Sequence, residues 1–138
     1  LGISGLSMRN LGELSGGQRQ LVSIAQVLAR EPEILMMDEP TSALDLKRQM
    51  QGLEFIRGLA TERGLLIFLA IHDLNQVLRF ADKVMALAGG GLHAAGATRE
   101  VLTADMLRRV YGVDARIEAC SRGIPQIIVD GAVDETPA

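Results

Sequence analysis

From Gly16 onward apolar residues recur at helical spacing, at Leu21, Ile24, Ala25 and Leu28, with Ser15 and its glycines at the start and Pro32 beyond the end. That pattern predicts one amphipathic helix. The periodicity then gives way to a continuous apolar run over residues 34–37, closed by Asp38, Glu39 and Pro40. Its length and blunt ending predict a fully buried strand with both carboxylates at its C-terminal tip. Helical spacing returns over 45–63, with Leu46, Met50, Leu53, Ile56 and Ala60 on one side and Gly64 as the stop, and residues 65–71 predict a second buried strand. Strand, crossover helix and strand in this order make a βαβ unit, so the fold class is α/β with parallel strands and ligands at their carboxyl ends. His72 falls at such an end, as Asp38 and Glu39 do.

Past His72 the pattern is finer grained. Leu74, Val77, Leu78 and Ala81 predict a short helix, and the runs 83–88 and 92–95 flank Gly89, Gly90 and Gly91 as a hairpin. Thr98 and Thr103 are placed to cap two brief helices, the second ending near Tyr111 and Gly112, and weak alternation around Gly123 and Pro125 predicts one or two further strands. Residues 134–138 read as a loose tail. The chain shows no internal repeat and no low-complexity linker.

Composition narrows the functional classes. A chain of 138 residues with 48% hydrophobic content and a net charge of -3 suits one globular domain or a large piece of one, and its slightly acidic balance offers no attraction for nucleic acid. With one tyrosine, three phenylalanines and no tryptophan, little is available for a base-stacking surface. The longest apolar stretch, 65–71, is far below the roughly 20 residues that cross a bilayer, and no basic-then-apolar signal opens the chain. A lone cysteine, Cys120, excludes an internal disulfide and a cysteine metal cage and reads as apolar filler. The chain opens on Leu1 rather than methionine, so its start reads as the middle of a longer protein and predicts a truncated sequence.

Candidate chemistry gathers in the first half. Leu14-Ser15-Gly16-Gly17-Gln18 places a hydroxyl and two residues without side chains at a helix N-terminus, where free N–H groups favour an anion. The helix dipole alone contributes only about 0.3–1 kcal/mol at an exposed site, so other charges must share the task. A lone Ser-Gly-Gly would be a capped helix after a turn. The full pentad, followed by Arg19 and Gln20, resembles the signature motif of ABC ATPases. Residues 34–40, Ile-Leu-Met-Met-Asp-Glu-Pro, resemble a Walker B strand and stand 20 residues beyond the pentad's Gln18, counting from Gln18 to Asp38. Ser42-Ala43-Leu44-Asp45 resembles that family's D-loop, with Asp45 equally suited to be an N-cap. His72, ahead of Asp73, resembles the switch histidine, whereas His93 on the hairpin has no such context and is assigned no role.

The resemblance implies a truncated P-loop NTPase core, divided into a remnant of the helical signature subdomain (1–13), the C-terminal half of the ATPase core (14–96) and a tail of short helices and strands (97–138). It implies Glu39 and His72 as catalytic residues, Asp38 as a magnesium residue acting through water, and Ser15, Gly16, Gly17, Gln18 and Asp45 as contacts to ATP held by another subunit. The stretch from His72 to Gln76, then Asp82, Gly96, 102–105 and 110–112, looks like the ATPases of importers for ferric siderophores, haem or cobalamin. That likeness implies a homodimeric ATPase, a transmembrane permease as partner, an indirect link to a substrate-binding protein, and a cytoplasmic position at the inner face of the membrane. Other relatives with the same motifs act in DNA repair or at the ribosome, and a degenerate binding module that kept the dimer surface is a third class. The chain contains no G-x-x-x-x-G-K followed by Ser or Thr, the loop that cradles phosphates. The 138 residues by themselves are therefore expected to be inactive and, with apolar sheet surface uncovered, to self-associate.

Overall fold

A computed structural model describes residues 3–42 and 44–133, which form two compact units, one up to His72 and one from Asp73. Leu1, the D-loop alanine at 43 and the expected tail at 134–138 lie outside the described residues. The first unit opens with two 3-10 turns, Ser4–Leu6 and Leu11–Glu13, which the apolar pattern did not reveal. Helix α1 (Gly16–Leu28), strand β1 (Ile34–Asp38), helix α2 (Leu46–Arg63) and strand β2 (Leu66–Ala70) follow in the expected order. Asp45 caps the start of α2 and Gly64 ends it at φ 65°, a conformation that glycine takes without a β-carbon clash.

Strands β1 and β2 pair in parallel with Ile34 opposite Leu66 and Asp38 opposite Ala70, which is the βαβ unit predicted from the order of elements. The expectation of fully buried strands is corrected. Burial alternates along both, with Leu35 at 4% exposure but Met36 at 76%, because α2 packs on one face of the two-stranded sheet and leaves the other open. On α2 the buried positions are Leu53, Ile56 and Leu59, spaced as a helix stripe. Leu46, expected on that stripe, is 73% exposed.

The second unit contains α3 (Leu74–Phe80), the antiparallel hairpin β3 (Lys83–Ala88) and β4 (Gly91–Ala97), α4 (Thr98–Val101), α5 (Ala104–Tyr111) and the antiparallel pair β5 (Val113–Ala119) and β6 (Pro125–Ala132). Its core joins Leu78, Ala86, Val101, Leu102, Met106, Leu107 and Ile127 from five elements and the short link between α4 and α5. Thr103 caps α5 as expected, its hydroxyl accepting from the Met106 N–H at 3.2 Å. Thr98 does not cap α4. It is the first helical residue, buried, and its hydroxyl donates to the Ala81 carbonyl at 2.7 Å, tying the helix to the end of α3. Asn75 holds β6 by both ends of its amide, accepting from the Ile127 N–H at 2.7 Å and donating to the Ile127 carbonyl at 3.3 Å. The boundary between the compact units falls between His72 and Asp73, whereas the family resemblance divides the chain after 13 and 96, and that division stays a proposal. Among the described residues no helix is long and apolar enough to cross a membrane.

The open face of the first unit carries Ile34, Met36, Leu66 and Phe68, adjacent through the strand register. Such a patch favours association. In sedimentation the 138-residue chain is expected to form dimers or larger species at micromolar concentration, and Met36→Lys with Phe68→Glu to shift it toward monomer. A wild-type chain that sediments as a clean monomer at high concentration contradicts this account.

Candidate functional site

Two local structures carry the predicted chemistry, one at the start of α1 and one at the tips of β1 and β2. Ser15 precedes α1 in extended conformation, and its hydroxyl oxygen accepts from the Gln18 N–H at 3.3 Å. The Gln18 side-chain oxygen accepts in return from the Ser15 N–H at 3.0 Å, closing a capping box. The cap uses a lone pair of Ser15 and leaves its O–H free to donate. The N–H groups of Gly16 and Gly17 lie in the first turn, where the helix supplies no acceptor. Ser15 and Gly16 are exposed. The helix start thus presents a hydroxyl, two free N–H groups and the positive end of a dipole to whatever approaches, an arrangement suited to an anion.

At the sheet end, parallel register brings two residues 33 positions apart together. Glu39 Oε1 lies 2.9 Å from His72 Nδ1. An ionised carboxylate only accepts, so the proton between them sits on Nδ1 and the other ring nitrogen, Nε2, is left for a second partner. Their side chains are 46% and 74% exposed, so the pair contributes only about 0–1 kcal/mol to stability. Its significance is placement. Glu39 adopts a positive φ of 42°, unfavourable for a side-chain-bearing residue. Three hydrogen bonds hold it: its N–H donates to the Ala70 carbonyl at 3.0 Å, and its carbonyl accepts from the Ser42 N–H at 3.2 Å and the Ser42 hydroxyl at 3.0 Å. Neither the backbone bend nor the Ser42 brace left a trace in the apolar pattern. An acidic residue pinned in an unusual conformation beside a histidine is a candidate functional position.

Asp38 is exposed on the open face of the sheet, one residue before Glu39. Among the described residues no three His, Cys, Asp or Glu side chains gather to cage a metal. A single exposed carboxylate at a strand tip fits magnesium, which keeps most of its waters and relies on one or two carboxylates together with substrate phosphates. Asp45 caps α2, its carboxylate accepting from the Arg48 N–H at 2.9 Å while the other oxygen lies 3.5 Å from the Arg48 guanidinium. An open groove of about 500 Å³ separates α1 from α2, lined by Gly17, Gln18, Leu21, Leu44, Arg48 and Phe55 among others. His93, given no role from sequence, is exposed on β4.

A family model described as "ABC transporter" matches residues 1–42. The ferric enterobactin transport ATP-binding protein of Escherichia coli is 42% identical over 116 residues, which cover 84% of this chain and 43% of that protein. An inward-facing transporter structure of metal-chelate ABC type superposes with a TM-score of 0.84 at 30% identity, covering 93% of this chain and 52% of that one. A dimeric ATP-binding cassette in a post-hydrolysis state, bound to ADP and Pi, superposes with a TM-score of 0.57 at 35% identity over 64% of this chain and 38% of its own. The chain spans about half the length of the curated relatives it matches.

The capping role of Asp45 is tested by substitution. Asp45→Ala removes the cap and is expected to cost about 1 kcal/mol, lowering Tm by about 3–5 °C for a chain of this size. Asp45→Asn keeps an accepting oxygen and should melt within about 1 °C of wild type, because the two residues cap about equally well. Equal melting of all three proteins would remove the capping role.

Proposed function

This chain belongs to the ABC transporter ATP-binding proteins, and on that footing we propose that it forms part of the ATP-hydrolysing, energy-coupling subunit of an importer for an iron chelate, such as a siderophore or haem, or for cobalamin. The observation that carries the catalytic half of this reading is the 2.9 Å contact between Glu39 and His72 at adjoining strand tips. Glu39 accepts a proton from the attacking water through a carboxylate whose direction is fixed by its braced backbone. His72 orients that carboxylate through Nδ1 and directs Nε2 toward the terminal phosphate. Asp38 would hold Mg²⁺ through a water, and the ion, when bound, offsets charge on the β- and γ-phosphate oxygens. Ser15, Gly16, Gly17 and Gln18 receive the triphosphate carried by a second subunit, with Asp45 at the contact between the two.

The dimer is supported by the dimeric ATP-binding cassette that the chain resembles. In this reading a second ATPase subunit shares each site, and a permease receives the closure of the pair at the cytoplasmic face of the membrane. The importer class is supported by the ferric enterobactin relative and the metal-chelate type structure.

In a complete subunit carrying these residues, Glu39→Gln is expected to lower kcat for ATP hydrolysis by about 10²–10⁴, the usual range for a positioned general base. His72→Ala should fall in the same direction. Turnover unchanged by both substitutions rules out the assigned roles. The 138-residue chain alone is expected to show no ATP hydrolysis above buffer and only weak nucleotide binding, and saturable micromolar ATP binding by it would overturn that expectation.

A further inference from the structure

The two glycines of the pentad differ in what surrounds them. A β-carbon built on Gly16 would meet nothing within 4 Å, so that position is open to a ligand. The same atom on Gly17 would lie 2.5 Å from Leu44 Cδ2. Non-bonded carbons settle at about 3.5–4.0 Å, so a side chain at 17 would have to turn the end of the Leu44 side chain aside. Leu44 belongs to the loop between β1 and α2, one residue before the cap Asp45. That loop is notched a second time, because a β-carbon on Gly52 of α2 would stand 3.3 Å from Thr41 Cγ2, and Thr41 is buried. Between the notches the Leu44 N–H closes a turn on the Thr41 carbonyl at 3.1 Å.

We propose that Leu44 is a positioning residue that locks the loop carrying Asp45 onto the first turn of α1, and that Gly17 is glycine to admit Leu44 whereas Gly16 is glycine to admit phosphate. The proposal deepens the functional reading above and rests on it for its kinetic consequence. A shift of the Asp45 loop is passed by direct contact to the helix start that presents Ser15, so two elements facing the partner subunit move as one piece.

The test compares Gly16→Ala, Gly17→Ala, Leu44→Ala and the double variant Gly17→Ala/Leu44→Ala in a complete subunit, with ATP turnover and Tm measured on each. Contacting residues couple by amounts that correspond to about tenfold in rate. Gly17→Ala is therefore expected to lower kcat about tenfold with KM for ATP within about twofold, and the double variant to be no slower than Leu44→Ala alone. Tm should show the same non-additivity. A second double variant, Gly16→Ala/Leu44→Ala, should show additive losses, because a methyl at 16 meets no Leu44. If Gly17→Ala instead raises KM and Leu44→Ala fails to relieve it, the added methyl blocks the nucleotide and the proposal falls. A wild-type subunit indifferent to Glu39→Gln would defeat the functional reading separately, and additive Tm losses would then still refute the contact.

Discussion

Parallel pairing of Ile34–Asp38 with Leu66–Ala70 is the constraint from which the site follows. In a parallel ladder both strands end at the same edge, so the residues just past each C-terminus become neighbours whatever their separation along the chain. Here the crossover helix α2 lays Leu53, Ile56 and Leu59 on the inner face of the sheet, and a register slip of one residue would exchange the two faces of β1 and turn Leu35 outward. The burial of Leu35 therefore fixes the phase of β1, and the phase of β1 fixes where Glu39 meets His72.

The bend at Glu39 stores energy that this pairing must hold. A left-handed conformation costs a residue with a β-carbon about 1–2 kcal/mol. It persists because the ladder extends one step past β1 through the Glu39 N–H, and because Ser42 returns twice to the Glu39 carbonyl. The backbone on both sides of the carboxylate is thus tied down before any ligand arrives. Preorganisation of this kind spares the reorganisation that a mobile carboxylate would need during reaction.

Much of this was legible in the residues themselves, and the exceptions share a cause. Ser15, Asp45 and Thr103 announced helix starts because a capping side chain acts within three residues of its own backbone. Gly64 and Gly112 announced helix ends for the equally local reason of φ. The continuous apolar runs found β1 and β2 but overstated their burial, since an apolar run reports affinity for a covering layer on both faces, and Ile34, Met36, Leu66 and Phe68 remain exposed. Thr98 looked like a cap and turned out to be a buried tie to Ala81, 17 residues away. The strain at Glu39, the Ser42 brace and the seat of Leu44 on Gly17 depend on tertiary placement, which spacing along one chain does not encode.

Structural and functional demands fall on different atoms of the same side chains. Ser15 spends an oxygen lone pair on the cap and keeps its proton; His72 spends Nδ1 on Glu39 and keeps Nε2; Asp45 spends its carboxylate on the α2 backbone and Arg48. For Ser15 and His72 the local bond orients the group that remains, so in the proposed roles an exposed side chain would meet a ligand with less rotamer freedom to lose. Asp45 is the exception, because both of its oxygens are already engaged within the chain. Any role it has toward a second subunit must then compete with its cap or act through the loop as a body, and the packing of Leu44 against Gly17 favours the second route.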